Sequence, residues 1–177
     1  EGVKIDFSSD SGSLEKIANN EGEVSIVTGP DGKLAMKLTT LAEPTNRVIT
    51  VEVKSGLVSD ITEIQVVGTS ISLTGSSSLA IDDENSYIVK VIDSDGNGIA
   101  NTPVALSLAD ETSNIELPET VTTDFTGQVS FTVKGIAGGS NSILATALGA
   151  NAKKPVAIQS DSFLFTNFNN GITEVNP

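Results

Sequence analysis

The stretch YIVKVIDSDGNGIANTPVALS, residues 87–107, decides the fold. Its centre opens like a calcium loop of the EF-hand pattern D-x-[DN]-x-[DN]-G, with Asp93, Asp95, Asn97 and Gly98 in register. That loop needs a bidentate Glu at its twelfth position and a helix on either side. Counting from Asp93, the twelfth position is Val104. Both flanks alternate with period two: Tyr87, Val89 and Val91 on one side, Val104, Leu106 and Leu108 on the other. Asp, Asn and Gly suit the positive φ of a hairpin or bulged turn. The stretch therefore reads as strand, turn, strand. A looser calcium site, in which Asp93 or Asp95 joins a carboxylate from a neighbouring loop, remains open at this point.

The same alternation recurs along the chain. Val3, Ile5 and Phe7 show it, as do Leu34, Met36 and Leu38, then Ile49, Val51 and Val53, then Val129, Phe131 and Val133. Turn-forming clusters separate these runs, at 28–33, 93–98, 123–128 and 134–141. SISLTG (70–75) with SLAI (78–81) reads as one strand region and SYIVKVID (86–93) as the next. SLEKIANN (13–20) has room for one or two helical turns between Gly12 and Gly22. Short strands with a turn every 8–12 residues predict an all-β fold of sandwich type.

Composition narrows the chemistry. The 177 residues include no Cys, no His and no Trp, and the net charge is −13. Disulfides, thiolate sites and His-based nucleophile systems are excluded. The ten Lys and Arg are scattered, so the chain offers phosphate groups no basic patch, and binding to nucleic acid is not expected. No run of about 20 apolar residues exists to span a membrane. Glu1 opens no charged-then-apolar export signal, so any such signal has been removed or lies outside these residues.

The chain also repeats itself. Gly127 stands 95 residues after Gly32 (127 − 32), and at that offset Leu34, Met36 and Leu38 meet Val129, Phe131 and Val133. The same offset sets Asn46 against Asn141, Val48 against Ile143 and Ile49 against Leu144. GVKIDF (2–7) resembles TPVALSL (102–108), so the first copy begins at its equivalent of Val104 and lacks the two strands before it. The expected division is a partial unit at 1–68, a complete one at 69–166, and a tail or start of a third at 167–177.

YIVKVIDSDGNGIANTPVALS (87–107), TTDFTGQVSFTV (122–133) and GSNSILATALG (139–149) together resemble the group 1 bacterial immunoglobulin-like repeat of intimin- and invasin-type adhesins. TGPDGKLAMKLTT (28–40) and NRVITVEVKSG (46–56) match the later part of the same pattern. The resemblance implies tandem immunoglobulin-like β-sandwiches, the first lacking its N-terminal strands. It implies a stalk or binding segment at the outer surface of a bacterium or in its surroundings. It supplies no catalytic residue and no cofactor. The implied partners are a protein or glycan receptor on another cell, or neighbouring repeats of the same polypeptide. Self-association by strand exchange, as in a filament or appendage subunit, is the alternative, and a carbohydrate-binding module is the second alternative.

Four clusters beyond the turn invite a site. Asp82, Asp83 and Glu84 could hold a cation or form a solvated loop. Asp60 and Glu63 form a weaker acidic pair. Paired carboxylates also suggest glycoside hydrolysis, but that chemistry is usually accompanied by aromatic sugar platforms, and aromatics are 4% of the chain. Phe7, Phe131 and Tyr87 take inward phases and read as core. Phe163 and Phe165 on one face, Leu164 on the other, and Phe168 beyond could touch a neighbouring unit. No metal, cofactor or catalytic residue is expected, and no enzyme activity.

Overall fold

A computed structural model describes residues 2–17 and 26–160, together with the backbone of two short strands at 163–165 and 173–175. The chain is all-β, with no helix among the described residues, and divides into two compact units, Glu1–Gly68 and Thr69–Pro177. Among the described residues no helix is long and apolar enough to cross a membrane.

In unit 1, β1 (Asp6–Ser9), β4 (Arg47–Ser55) and β5 (Val58–Val66) form an antiparallel sheet in the order β1-β4-β5. β2 (Ser13–Lys16) and β3 (Met36–Thr39) form a second, two-stranded one. The helical turn allowed at 13–20 is thus corrected over 13–16, where Leu14 lies across from Leu38. Cross-strand pairing of two apolar side chains outweighs a local helical preference that has no packed face. Residues 18–20 lie outside the described residues. Val3 and Lys4 also fall short of β1, which starts at Asp6; Lys4 makes an isolated bridge to Val27 instead.

Unit 2 is a sandwich. One sheet runs β10 (Ile115–Glu116), β12 (Gln128–Gly135), β8 (Glu84–Ile92), β6 (Ser70–Thr74). The other runs β11 (Thr120–Thr122), β9 (Pro103–Leu108), β13 (Gly139–Ala147), β14 (Ala150–Gln159), β7 (Ser78–Ala80). This is an immunoglobulin-like order. The inward residues of both sheets share one buried cluster that includes Leu73, Tyr87, Val89, Val91, Val104, Leu106, Phe131, Val133, Ile143 and Val156. Residues 70–81, read above as one strand region, divide between the sheets. β6 pairs antiparallel with β8, while β7 pairs parallel with β14. The crossing lies at Gly75, where a Cβ would overlap the Tyr87 ring. β15 (Phe163–Phe165) pairs antiparallel with β16 (Thr173–Val175).

The structure shows the repeat and corrects part of its register. Gly29–Lys33 and Asp124–Gln128 form the same turn 95 residues apart (124 − 29). The hairpins β4–β5 and β13–β14 correspond at 92 instead, because Ser55↔Val58 closes one and Ala147↔Ala150 the other (147 − 55). Val48 therefore does not match Ile143: Val48 is 49% exposed and Ile143 is 0%. The connection after β3 covers residues 40–46, that after β12 only 136–138, and the longer loop absorbs the shift. Arg47 pins that loop, donating to the carbonyls of Thr40 (3.1 Å) and Thr45 (3.0 Å). With the repeat so aligned, β1-β4-β5 corresponds to β9-β13-β14, and β2-β3 to β10-β12. Unit 1 has no described strand equivalent to β6, β7 or β8.

Candidate functional site

The acidic turn at Asp93 comes first. The Asp93 N–H donates to the Asn97 carbonyl (2.9 Å) and the Gly96 N–H to the Asp93 carbonyl (3.1 Å). Gly96 sits at φ 86°. This is a type I turn closed by a glycine bulge. Its carboxylate serves the turn: Oδ1 accepts the N–H groups of Asp95 (2.9 Å) and Asn97 (2.8 Å), and Oδ2 accepts Asn97 Nδ2 (3.2 Å). Hydrogen bonds from the Asn97 backbone and side chain hold the Asp93 pKa below its ordinary value, because they favour the charged form.

Asp124 repeats the arrangement. Its Oδ1 accepts Thr126 N (2.8 Å), Thr126 Oγ1 (2.7 Å) and Gln128 N (3.1 Å). The Thr126 hydroxyl is the main cause of its lowered pKa. The two turns lie side by side: the Val91 N–H donates to the Gly127 carbonyl (2.8 Å) and the Ile99 N–H to the Val91 carbonyl (3.0 Å). A Cβ at Gly98 would overlap the Thr126 carbonyl. Neither turn joins paired strands; each carries the chain from one sheet to the other. Val104, at the twelfth position of the EF-hand reading, is fully buried. Among the described residues no three carboxylates converge to hold a metal.

The remaining acidic candidates diverge. Asp82, at φ 65°, gives its N–H to the Gly135 carbonyl (2.8 Å), and its carboxylate lies 3.7 Å from Lys134 Nζ. Asp83 accepts the Gly135 N–H on its carbonyl (3.0 Å). Glu84 begins β8 and lines an open groove of about 400 Å³ with Glu116, Leu117 and Lys134. Asp60 and Glu63 are three apart on β5, so the two-residue period sends them to opposite faces.

Tyr87 and Phe131 belong to the core, with ring centroids 6.0 Å apart. The Tyr87 hydroxyl donates to the Ser76 carbonyl (2.6 Å), and burial pushes its pKa up. Phe7 is half-buried. The side chains of Phe163, Leu164, Phe165 and Phe168 lie outside the described residues.

Two features escaped the sequence. Phe125 sits at the tip of the Asp124 turn, 88% exposed. Asn141 lies buried on β13 and gives its amide to Asp110 O (3.3 Å), Thr112 O (3.1 Å) and Asn114 Oδ1 (3.2 Å). An Asn in an inward phase of an apolar strand was the available signal for the second.

A further opening lies in unit 1. β3 and β5 each have one edge without a described strand partner. Behind β3 lies a cavity of about 330 Å³ lined by Ile5, Phe7, Leu14, Leu34 and Met36 together with the charged Lys4, Asp6 and Lys16, Lys4 Nζ lying 3.3 Å from Asp6 Oδ1. These apolar residues hold the inward phase, yet each stays half-buried.

No protein-family model matches the chain. No curated protein matches it either. Solved structures similar to it include invasin- and intimin-type adhesins, surface-layer proteins and a β-glycosidase. The adhesin InvE of Yersinia pseudotuberculosis is 14% identical with a TM-score of 0.47; the match covers 91% of this chain and 50% of that one. The surface-layer protein rSbsC is 20% identical with a TM-score of 0.43, covering 92% of this chain and 21% of that one. The D0-D1 domain of intimin is 19% identical with a TM-score of 0.43, covering 89% and 81%. The chain thus spans half the length of the InvE structure and about a fifth of that of rSbsC.

Proposed function

We propose that the chain is a repeat segment of a bacterial surface or secreted adhesin, acting as a spacer or presenting loops to a receptor. The observation that carries this reading is the tandem repeat itself. Two units carry the same bulged turn, at Gly29–Lys33 and Asp124–Gln128, within the TGPDGK and TTDFTGQ segments on which the adhesin-repeat resemblance rests. The acidic side chains at Asp93 and Asp124 support it as well, since they build turns. Division into a partial repeat at 1–68, a complete one at 69–166 and a further start at 167–177 belongs to the same proposal.

The mechanism is mechanical. β7 lies at the edge of the second sheet and near the start of unit 2, β14 is that sheet's last strand in sequence, and the two pair in parallel. Tension between the start of β7 and the end of β14 loads their hydrogen bonds in shear, so that they must yield together. Those include Ala157 N to Ser77 O (3.0 Å) and Ile81 N to Gln159 O (3.2 Å).

Antibody raised against residues 1–177 tests the location. Intact cells of the source bacterium should be labelled, and the label should vanish after protease treatment from outside. Labelling confined to permeabilised cells would sink the surface reading. A glycan array separates receptor classes, with binding to defined sugars favouring the carbohydrate-binding alternative.

A further inference from the structure

We propose that β6 is a self-association edge: a second copy of this chain adds its own β6 antiparallel, and the four-stranded sheet of unit 2 continues through both molecules about a two-fold axis. This goes beyond the adhesin reading and does not depend on it.

β6 ends that sheet. It pairs with β8 along one side, and no described strand pairs with the other. Proteins protect such an edge with charge, proline or extreme shortness. The other described edge strands comply. β1, β2, β3, β5, β10 and β16 each carry an Asp, Glu or Lys, while β7, β11 and β15 have three residues apiece. β6, SISLT, has five residues with neither charge nor proline. No charged residue stands between Glu63 and Asp82.

The strand is also complementary to itself. Antiparallel pairing centred on Ser72 sets Ile71 against Leu73 of the second copy, Ser70 against its Thr74, and Ser72 against its Ser72. Ile71 and Leu73 belong to the inward face, where Ile71 is half-buried and Leu73 buried. Ser70, Ser72 and Thr74 are exposed on the outward face. Apolar pairs thus meet apolar pairs and hydroxyls meet hydroxyls, the cross-strand matches that stabilise a sheet. Of the β8 residues paired with β6, Lys90 is the charged one, across from Ser72. In the continued sheet the two Lys90 stand three strand spacings apart, about 14 Å. That exceeds the screening length of about 8 Å at physiological salt, so they oppose the pairing little.

The test is sedimentation and light scattering of residues 1–177 at concentrations up to about 1 mM, since five paired residues a side fall short of the roughly 1,200 Å² of a standard interface. A dimer should form as concentration rises, and amide exchange should slow at Ser70–Thr74. Ser72→Lys sets two like charges directly opposite each other and should weaken the dimer about tenfold or more. Ser72→Asp should do the same, while an equimolar mixture of the two variants should associate more tightly than either alone. Ser72 is exposed, so both variants should keep the fold, which the melting temperature of unit 2 checks. A monomer at every concentration overturns the proposal. So does a dimer that neither variant weakens, a mixture no tighter than its components, or protection that appears in another edge strand instead of β6.

Discussion

Asp93 and Asp124 show how a carboxylate can resemble a ligand and serve as a bracket. Each accepts two backbone N–H groups from the turn it begins. Asp93→Ala should lower the melting temperature of unit 2. Asp95→Ala should leave it unchanged, because no described hydrogen bond uses the Asp95 side chain. Thermal unfolding in calcium and in chelator should coincide, and a rise in melting temperature with calcium would restore a metal role. The pH dependence follows from the lowered pKa values. An aspartate with a depressed folded-state pKa contributes stability that is fully present above its unfolded value, near 3.8, and that disappears as pH falls through the folded value. Unfolding followed from pH 6 to pH 2 should show that loss at the acid end, smaller in the Asp93→Ala, Asp124→Ala double variant.

At the scale of elements, Asn141 ties β13 to the loop at 110–114. Its amide reaches four acceptors there, the Thr112 hydroxyl (3.2 Å) among them, and its Oδ1 accepts the Asp110 N–H (3.1 Å). Removing it leaves buried polar groups without partners, which costs more than the hydrogen bonds contribute. Asn141→Ala should cost about 2–3 kcal/mol in urea unfolding of unit 2. Exchange at Asn114, whose N–H donates to the Thr112 carbonyl, and at Ile136, whose N–H donates to the Asn114 carbonyl, should accelerate first. Gly98 poses the steric counterpart. Gly98→Ala forces a methyl group into the Thr126 carbonyl and should cost on the order of 2 kcal/mol by the same measurement.

For the molecule as a whole, the two units differ in how much they bury. Among the described residues of unit 1, Ile49 and Val51 are the buried apolar side chains, whereas unit 2 has a continuous cluster from both sheets. Stability scales with apolar burial, so unit 1 should melt first. Calorimetry should resolve two transitions, and amide exchange in β4 should be faster than in β8 and β13. A single cooperative transition with uniform exchange would contradict this.

Period-two alternation and turn chemistry were enough to read the runs around Phe7, Met36, Val51, Val89, Leu106 and Phe131 as strands and the turns between them, though not β2, because both are local: side chains alternate across a strand, and Gly or Asp meets a backbone demand within five residues. They also identified 93–98 as punctuation, since the position due to a ligand is Val104. Register was beyond local reading. The repeat shifts from 95 to 92 where the loop at 40–46 lengthens, and no residue in that loop announces it. Nor could residues 70–81 declare their division between sheets, which depends on Tyr87 closing over Gly75. Tertiary packing decided these, and with them which edges of unit 1 have no described strand partner. An edge is a relation between strands distant in sequence, so it exists only once the sheets are assembled.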